Sequence, residues 1–233
     1  MADSEIAQDL NSHISELRTR VIHSLIVLVV LSSIGFYFSQ DILGLIQADL
    51  GLQLNALTAY ETIYTQITIS LIFGFITGLP AILYQLLKFM EPGLKPKEYR
   101  LLRNYLPLSI LLFGIGSLFS YNFIVKKSLS LFMNMTESAG VQSVWSLQRT
   151  IGYAIKLSTV SGMLFQLPIV SMILAKAGLI ISEMMNEYRA HFFIAVLIIA
   201  AVATPPDLVT QILVTLPVLG LYQVSIFLVS RIE

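Results

Sequence analysis

Two polar stretches of this sequence place carboxylates among arginines and lysines, a pattern suited to binding a cationic group. Residues 13–20 read HISELRTR, and residues 89–100 read FMEPGLKPKEYR. A carboxylate accepts paired hydrogen bonds from a guanidinium, so Glu16 and Glu98 are candidates for binding the arginine side chains of a partner. The alternative is that both acids pair within the chain, with Glu98 bound to a nearby lysine or arginine or placed at the start of a helix.

The motifs of several enzyme classes are missing from the chain. No glycine-rich loop ends in Lys-Ser or Lys-Thr, so ATP hydrolysis is not expected. None of the three histidines (His13, His23 and His191) lies four residues from another, as in a zinc protease, and no Gly-x-Ser-x-Gly elbow occurs. The absence of cysteine removes thiol nucleophiles, thiolate metal sites and disulfides. We therefore expect a protein that is not an enzyme and needs no metal or cofactor.

The composition indicates an integral membrane protein. Of the 233 residues, 56% are hydrophobic and only 12% are charged, whereas a soluble domain carries about 25% charged residues. A soluble globule of this size could not bury so much apolar surface. The formal net charge of +0 favours no nucleic-acid partner. The sequence thus predicts a single all-α membrane domain over residues 1–233, with the lipid bilayer as its surroundings.

Long apolar stretches predict six membrane-spanning helices, because one crossing takes about 20 residues. The fifth stretch would rise only about 20 Å, short of the hydrocarbon core of about 30 Å. It forms with the sixth a predicted pair of short last helices, joined by residues 204–207, TPPD. The predicted spans are 21–38, 63–87, 105–125, 151–175, 191–203 and 208–229.

Lysines and arginines concentrate in the loops on one side of these spans, and both chain ends lie on that side. Positive loops stay in the cytoplasm, so both the N- and the C-terminus are predicted to be cytoplasmic. Residues 1–20 are predicted to form a cytoplasmic interfacial helix. Its apolar stripe consists of Ile6, Leu10, Ile14 and Leu17.

Leu-Pro steps recur within the second, fourth and sixth spans, at Pro80, Pro168 and Pro217. Proline removes an intrahelical hydrogen bond and bends a helix. Three bends in helices that run in the same direction would give a concave, proline-kinked bundle. Unrelated kinks, packed by neighbouring helices, explain the pattern equally well.

Few polar side chains lie deep within the predicted spans. Lys156 lies about two turns from the outer end of the fourth span, and we expect its side chain to reach the interface, although a charge inside a span is often functional. Gln166, Gln211 and Gln223 lie in the fourth and last spans. A buried amide either joins helices or forms a site, and the sequence leaves both readings open.

In the order of these features, the chain resembles the TatC family, whose members are the multispanning subunit of the twin-arginine protein translocase. The likeness covers nearly the whole chain: six spans, cytoplasmic ends and two short last helices. Four stretches carry it: residues 13–20; LPAILYQ at 79–85 continuing to Phe89, Pro92, Leu94 and Glu98; FQLPIV at 165–170; and TPPD at 204–207 with Gln211 and Pro217. Each stretch is weak alone, but their order and spacing are specific.

The resemblance implies a receptor for the signal peptides of folded export cargo, in which consecutive arginines precede an apolar segment. Glu16 and Glu98 would contact the arginines, Phe89 would pack against the apolar residue beyond them, and Arg18 would help to build the same site. The signal-peptide-binding residues implied in this way are Glu16, Leu17, Arg18, Phe89, Glu98 and Arg100.

The resemblance also implies partners and a location. The implied partners are single-span subunits of the TatA/TatB kind and further copies of this chain in a larger complex. The implied location is a prokaryotic plasma membrane, and the implied energy source is the proton-motive force across it. The implied partner contacts are Gln166, Thr204, Asp207 and Gln211. The family usually has glutamate where this chain has Gln166 and Gln223, so proton-coupled roles at these two positions are in doubt.

Two other functions are compatible with six spans. A secondary transporter would need a polar midplane site and helices broken in a repeated pattern, which the first and third spans lack. A membrane assembly scaffold would need no cargo recognition at all. Function that survives changes at Glu16, Phe89 and Glu98 would favour the scaffold.

Overall fold

The computed structural model of the protein describes residues 2–91, 96–140, 142, 144–176, 178–204 and 207–232; the side chains of residues 2–13, 97, 98, 101 and 102 are not described. Nearly all of this chain is helical. The helices and strands are α1 (Ala2–Tyr37), α2 (Ser39–Leu50), β1 (Leu54–Asn55), α3 (Glu61–Met90), α4 (Pro96–Phe119), a π-helical segment (Ser120–Val125), α5 (Lys126–Ser138), β2 (Trp145–Ser146), α6 (Leu147–Leu164), α7 (Leu167–Lys176), α8 (Ser182–Glu187), α9 (Arg189–Ala203) and α10 (Leu208–Ser230).

The described residues include five helical runs long and apolar enough to cross a membrane, and one shorter apolar helix, α9. This confirms the all-α membrane fold class. The five runs are Ile14–Tyr37, Glu61–Met90, Arg103–Ser138, Leu147–Lys176 and Leu208–Ser230. The cytoplasmic termini and the concave bundle stay predictions.

Contacts divide the chain into two compact units. The first unit consists of Met1–Leu43 and Gln66–Pro107, and the second of Gly44–Thr65 and Leu108–Glu233. The boundaries fall within α2, α3 and α4, so three helices contribute residues to both units.

In the first unit, α1 packs closely against the middle of α3. A Cβ atom built on Gly74 would lie 2.2 Å from Ser32 Oγ and 2.6 Å from the Ser32 backbone nitrogen. A Cβ on Gly35 would lie 2.8 Å from the ring of Phe73. Small residues that let helix backbones approach are the usual means of packing helices in lipid, where apolar side chains gain little from contacting each other rather than lipid tails.

The second unit is organised around an apolar cluster contributed by five helical segments. Val125 of the π-helical segment and Leu157 of α6 are fully buried in it, and Ala200 of α9 and Val214 of α10 pack against them. A second cluster joins α8 to α10 through Met185, Tyr222, Ile226 and Val229.

A buried carboxylate ties together the starts of α3 and α6 in the second unit. Glu61 is 6% exposed, and its Oε2 accepts from the Leu57 backbone N–H at 3.2 Å and from Ser146 Oγ at 3.3 Å. Next to this contact, Leu54 and Asn55 pair in parallel register with Trp145 and Ser146. Ser146 is also the N-cap of α6, since it accepts from the Arg149 backbone N–H.

A second polar contact fastens α2 to the π-helical segment and α5. Lys126 Nζ donates to Asp49 Oδ1 at 3.0 Å, and the Tyr121 hydroxyl donates to Asp49 Oδ2 at 2.8 Å. These two hydrogen bonds, the one from Lys126 first, lower the pKa of the Asp49 carboxyl below its ordinary value. All three side chains lie in the second unit.

Two helical runs differ in extent from the sequence-based prediction, whereas the last span agrees with it. The predicted interfacial helix and first span form one continuous helix, α1. The third span was predicted to end at residue 125, but its helical run continues through the π-helical segment to Ser138. The last two helices have 15 residues in α9 and 23 in α10; α10 agrees with the predicted span 208–229 to within one residue, and Asp207 caps its start.

The prolines act in two different ways. Pro80 and Pro217 lie inside unbroken helices, as does Pro107. In the fourth span the helix stops at Leu164 and restarts at Leu167, so Pro168 takes the second position of α7. Proline is well tolerated there because a first-turn N–H has no intrahelical partner.

Candidate functional site

Glu16 and Arg20 form the polar centre of the first predicted cluster. Arg20 Nη2 donates to Glu16 Oε1 at 3.2 Å, one helical turn apart on α1. The other arm, Nη1, donates to Gln85 Oε1 on α3 at the same distance of 3.2 Å. Arg20 and Glu16 are about one-third exposed, and Arg20 Nε is buried without a hydrogen-bond partner among the described residues. One guanidinium therefore joins Glu16 to α3.

Phe89 lies near this contact in the sequence of α3, four residues after Gln85 and therefore on the same face of that helix. Its side chain is half-buried. The structure thus links Glu16, through Arg20 and Gln85, to the helix face that carries Phe89. Both were predicted to be site residues, and both belong to the first unit.

The two other α1 residues of the predicted site face outward. Leu17 is 44% exposed, and Arg18 is exposed. Neither takes part in the contact between Arg20 and Gln85. Both remain accessible to a ligand that approaches this part of α1.

The second cluster begins α4. Glu98 lies in the first turn of this helix, as its backbone shows, but its side chain lies outside the described residues, so its predicted pairing is not tested. Glu91, seven residues earlier in the same cluster, is bound by Lys88 at 2.8 Å. Arg100 is exposed and lines a cavity of about 390 Å³ with Glu91, Pro96, Tyr99 and Arg103.

Gln166 is held entirely by hydrogen bonds within the second unit. Its Oε1 accepts from Ser109 Oγ, and its Nε2 donates to the Ser109 carbonyl at 3.0 Å and to the Gly162 carbonyl at 3.4 Å. The residue occupies the break between α6 and α7, where backbone groups lose their helical partners. Of the two roles that the sequence allowed, the geometry supports joining helices.

Thr204, Asp207 and Gln211 lie together at the turn between α9 and α10. Thr204 Oγ1 donates to the Ala200 carbonyl at 2.9 Å, and Asp207 Oδ2 accepts from the Thr210 backbone N–H at 2.7 Å. Gln211 Nε2 crosses to α9 and donates to the Leu197 carbonyl at 3.0 Å. Three of the four residues predicted to contact partner subunits therefore form hydrogen bonds within the hairpin of α9 and α10. The fourth, Gln166, has its hydrogen bonds elsewhere, with Ser109 and Gly162.

The described residues contain no group of three or more His, Cys, Asp or Glu side chains that could hold a metal ion. The polar contacts of the predicted site are instead those of carboxylates, amides and guanidinium groups. Such an arrangement can bind and orient a cationic peptide by hydrogen bonds.

A comparison with models of protein families assigns the chain to a family. The model described as TatC, Sec-independent protein translocase protein, matches residues 12–217. The chain belongs to the TatC family. The match begins before Glu16 and includes α3, Glu98, Gln166 and the turn between α9 and α10.

Curated relatives agree with this assignment. The Sec-independent protein translocase protein TatC of Aquifex aeolicus is 35% identical over 94% of this chain and 93% of its own length. The protein TatCy of Bacillus subtilis is 32% identical over 94% of this chain and 87% of its own length. The fold agrees as well: a crystal structure of the twin-arginine translocase receptor TatC superposes with a TM-score of 0.84 at 35% identity, covering 94% of this chain and 98% of that one.

Within this TatC-family fold, the two glutamines that replace expected glutamates are both bound by neighbours. Ser109 and Gly162 hold Gln166, as described above, and Arg189 Nη2 donates to Gln223 Oε1 across α9 and α10. An amide oxygen accepts these hydrogen bonds as a carboxylate would, but without the charge. Gln166 and Gln223 therefore join helices in this chain without contributing a titratable group.

Lys156 has a partner in this TatC chain that the sequence did not indicate. Its Nζ donates to the Val202 carbonyl at 2.6 Å, in the last turn of α9. A cation at a helix C-terminus satisfies an unpaired carbonyl and interacts favourably with the helix dipole. Lys156 thus stabilises the end of the short helix α9.

Arg20 and Gln85 were not selected from the sequence, although Arg20 donates to both Glu16 and Gln85. Both residues belong to stretches that carry the family resemblance. They lie 65 positions apart, however, and no local sequence pattern indicates that their side chains meet. The one available signal was the Arg20 position itself, four residues after Glu16 on a predicted helix.

Proposed function

We propose that this protein is the core receptor subunit of the twin-arginine protein translocase. It binds twin-arginine signal peptides of folded proteins at the cytoplasmic face of a prokaryotic plasma membrane. The observation that carries this proposal is the TatC family match, which includes both polar clusters within residues 12–217. The chemistry comes from the two clusters of mixed charge, one in α1 around Glu16 and the other from the end of α3 to the first turns of α4.

The proposed recognition combines two kinds of contact. Glu16 and Glu98 accept hydrogen bonds from the two guanidinium groups of the signal, each with a planar fork that a lysine does not offer. Phe89 packs against the apolar residue that follows the arginines. Leu17, Arg18 and Arg100 complete the surface around them; the exposed positions of Leu17, Arg18 and Arg100 support this role.

Single-span subunits of the TatA/TatB kind are the proposed partners, together with further copies of this chain in a larger complex. Thr204, Asp207 and Gln211, on the hairpin of α9 and α10, and Gln166 are the proposed contacts. Energy comes from the proton-motive force, and the protein itself performs no catalysis.

The test is peptide binding to the purified protein in lipid nanodiscs. A signal peptide with an arginine pair is compared with the same peptide carrying a lysine pair, for the wild type and for Glu98→Ala. Lysine keeps the charge but loses the bidentate geometry. We expect a clear preference for arginine in the wild type and its loss in Glu98→Ala.

Glu183→Ala is the matched control, since it removes an exposed acid from α8, a helix that carries none of the proposed signal-peptide-binding residues. It should keep the arginine preference. Equal, weak binding of both peptides to every variant would refute the receptor proposal for this chain and favour a scaffold or transporter.

A further inference from the structure

We propose that Arg20 and Gln85 are positioning residues of the signal-peptide site. Together they fix the Glu16 carboxylate on the face of α3 that carries Phe89, and this sets the preference for arginine over lysine. The inference rests on the proposed receptor function and adds two residues to its site.

The geometry places one guanidinium between two helices. Arg20 Nη1 donates to Gln85 Oε1 on α3, and Nη2 donates to Glu16 Oε1 on α1, both at 3.2 Å. The planar guanidinium keeps its two arms in a fixed relation. The position of the Glu16 carboxylate is therefore tied to Gln85.

This link matters because the apolar side chains of α1 around Glu16 are largely exposed. Of the most apolar window in Ile14–Tyr37, 11% is buried within the protein, and Ile14, Leu17 and Val21 around the site are all more than 40% exposed. The close approach of Gly74 to Ser32 fixes α1 about three turns further along. The bridge through Arg20 is a polar contact between α1 and α3 at the level of Glu16.

Two consequences follow for a bound signal peptide. The contact with Arg20 uses Glu16 Oε1, and among the described residues no donor bonds Oε2, which is left to accept from the signal. Gln85 and Phe89 lie four residues apart on α3, about 6 Å along the axis, so the link through Arg20 ties the Glu16 carboxylate to the helix face that carries the phenyl ring. A signal in which an apolar side chain follows the arginines matches the order of these two groups, the Glu16 carboxylate and then the Phe89 ring.

Without Arg20, Glu16 keeps its charge but loses its fixed orientation. Attraction of any cation then survives, whereas discrimination between the guanidinium fork and a simple ammonium is lost. The ratio of the affinities for the arginine and lysine peptides is therefore the measurement, because a general loss of structure would lower both affinities alike.

The experiment measures both peptides in nanodiscs against the full-length wild type, Arg20→Gln, Gln85→Leu and Gln85→Glu. In Arg20→Gln and Gln85→Leu the arginine peptide should lose roughly ten-fold in affinity, the scale of one hydrogen bond to a charged group, while the lysine peptide changes little. Gln85→Glu still offers Arg20 an acceptor and should keep the preference. In the double variant Arg20→Gln/Gln85→Leu no further loss is expected, because both changes break one bridge.

Lys126→Gln is the matched control. It breaks an ion pair of similar exposure, that with Asp49, in the second unit, which contributes none of the proposed signal-peptide-binding residues, and should leave the affinity ratio unchanged. An unchanged or higher ratio in Arg20→Gln would overturn the inference while leaving the receptor function intact. If the wild type itself fails to prefer arginine, the proposed function fails instead, so the two failures are distinct.

Discussion

At the scale of single residues, Gln166 has two proposed roles: it joins helices within the fold, and it contacts a partner subunit. The structure gives it three hydrogen bonds to Ser109 and Gly162, which join α4 to the break between α6 and α7. A residue used in this way stabilises the fold whether or not a partner subunit also contacts it. The two roles predict different outcomes for the same substitution.

Gln166→Leu should lower the thermal midpoint of the purified protein in detergent. Hydrogen bonds between membrane helices contribute about 0.6–1.7 kcal/mol each, so we expect a loss of roughly 1–3 kcal/mol. The measurement is thermal unfolding followed by circular dichroism, with Gln53→Leu, at an exposed loop position, as the control. A wild-type midpoint combined with weaker binding of a single-span partner would assign Gln166 to partner contact rather than to the fold.

At the scale of helices, the contact between α1 and α3 depends on the absence of a side chain at Gly74. A Cβ there would lie within 3 Å of three Ser32 atoms, two of them in the backbone. Backbone atoms cannot move aside as a flexible side chain does, so the two helices would have to separate.

Gly74→Ala should therefore destabilise the protein by about 1–3 kcal/mol, the usual cost of overpacking. Gly114→Ala is the matched control in α4, because a Cβ there meets no atom within 4 Å, and alanine favours a helix by up to about 1 kcal/mol. Thermal midpoints of the two variants give the comparison. Equal midpoints would contradict the close packing of α1 on α3.

At the scale of the whole molecule, the direction in which the spans cross the membrane can be tested by labelling. The chain has no cysteine, so single cysteines report one position each without removal of native thiols. Asn134 on α5 and Asn186 on α8 are both exposed, and the predicted topology places them on opposite sides of the membrane.

In intact cells, a membrane-impermeant maleimide should label Asn134→Cys directly and Asn186→Cys only after the membrane is permeabilised. The outcome follows from the excess of lysine and arginine in the loops on the side of Asn186. The reverse pattern would place the termini outside the cytoplasm, and the proposed signal site with them.

The sequence by itself determined the class of protein, the approximate position of the spans and the family. Membrane insertion depends on the apolar content of a continuous stretch, so it can be derived from composition along the chain. The short fifth span and the capping Asp207 were likewise local features. Glu16, Phe89 and Glu98 could be selected because residue type and family pattern suffice to mark a candidate.

Only the tertiary structure decided which side chains meet. The contacts of Arg20 with Gln85, of Gln166 with Ser109 and of Lys156 with Val202 each join residues 46 to 65 positions apart. Polar side chains within apolar surroundings must find partners, but several partners are chemically equivalent, and packing of the helices selects among them. Two further features were not predicted for the same reason: the continuation of the third helical run to Ser138 and the interruption of the fourth span before Leu167. Both depend on packing against neighbouring helices.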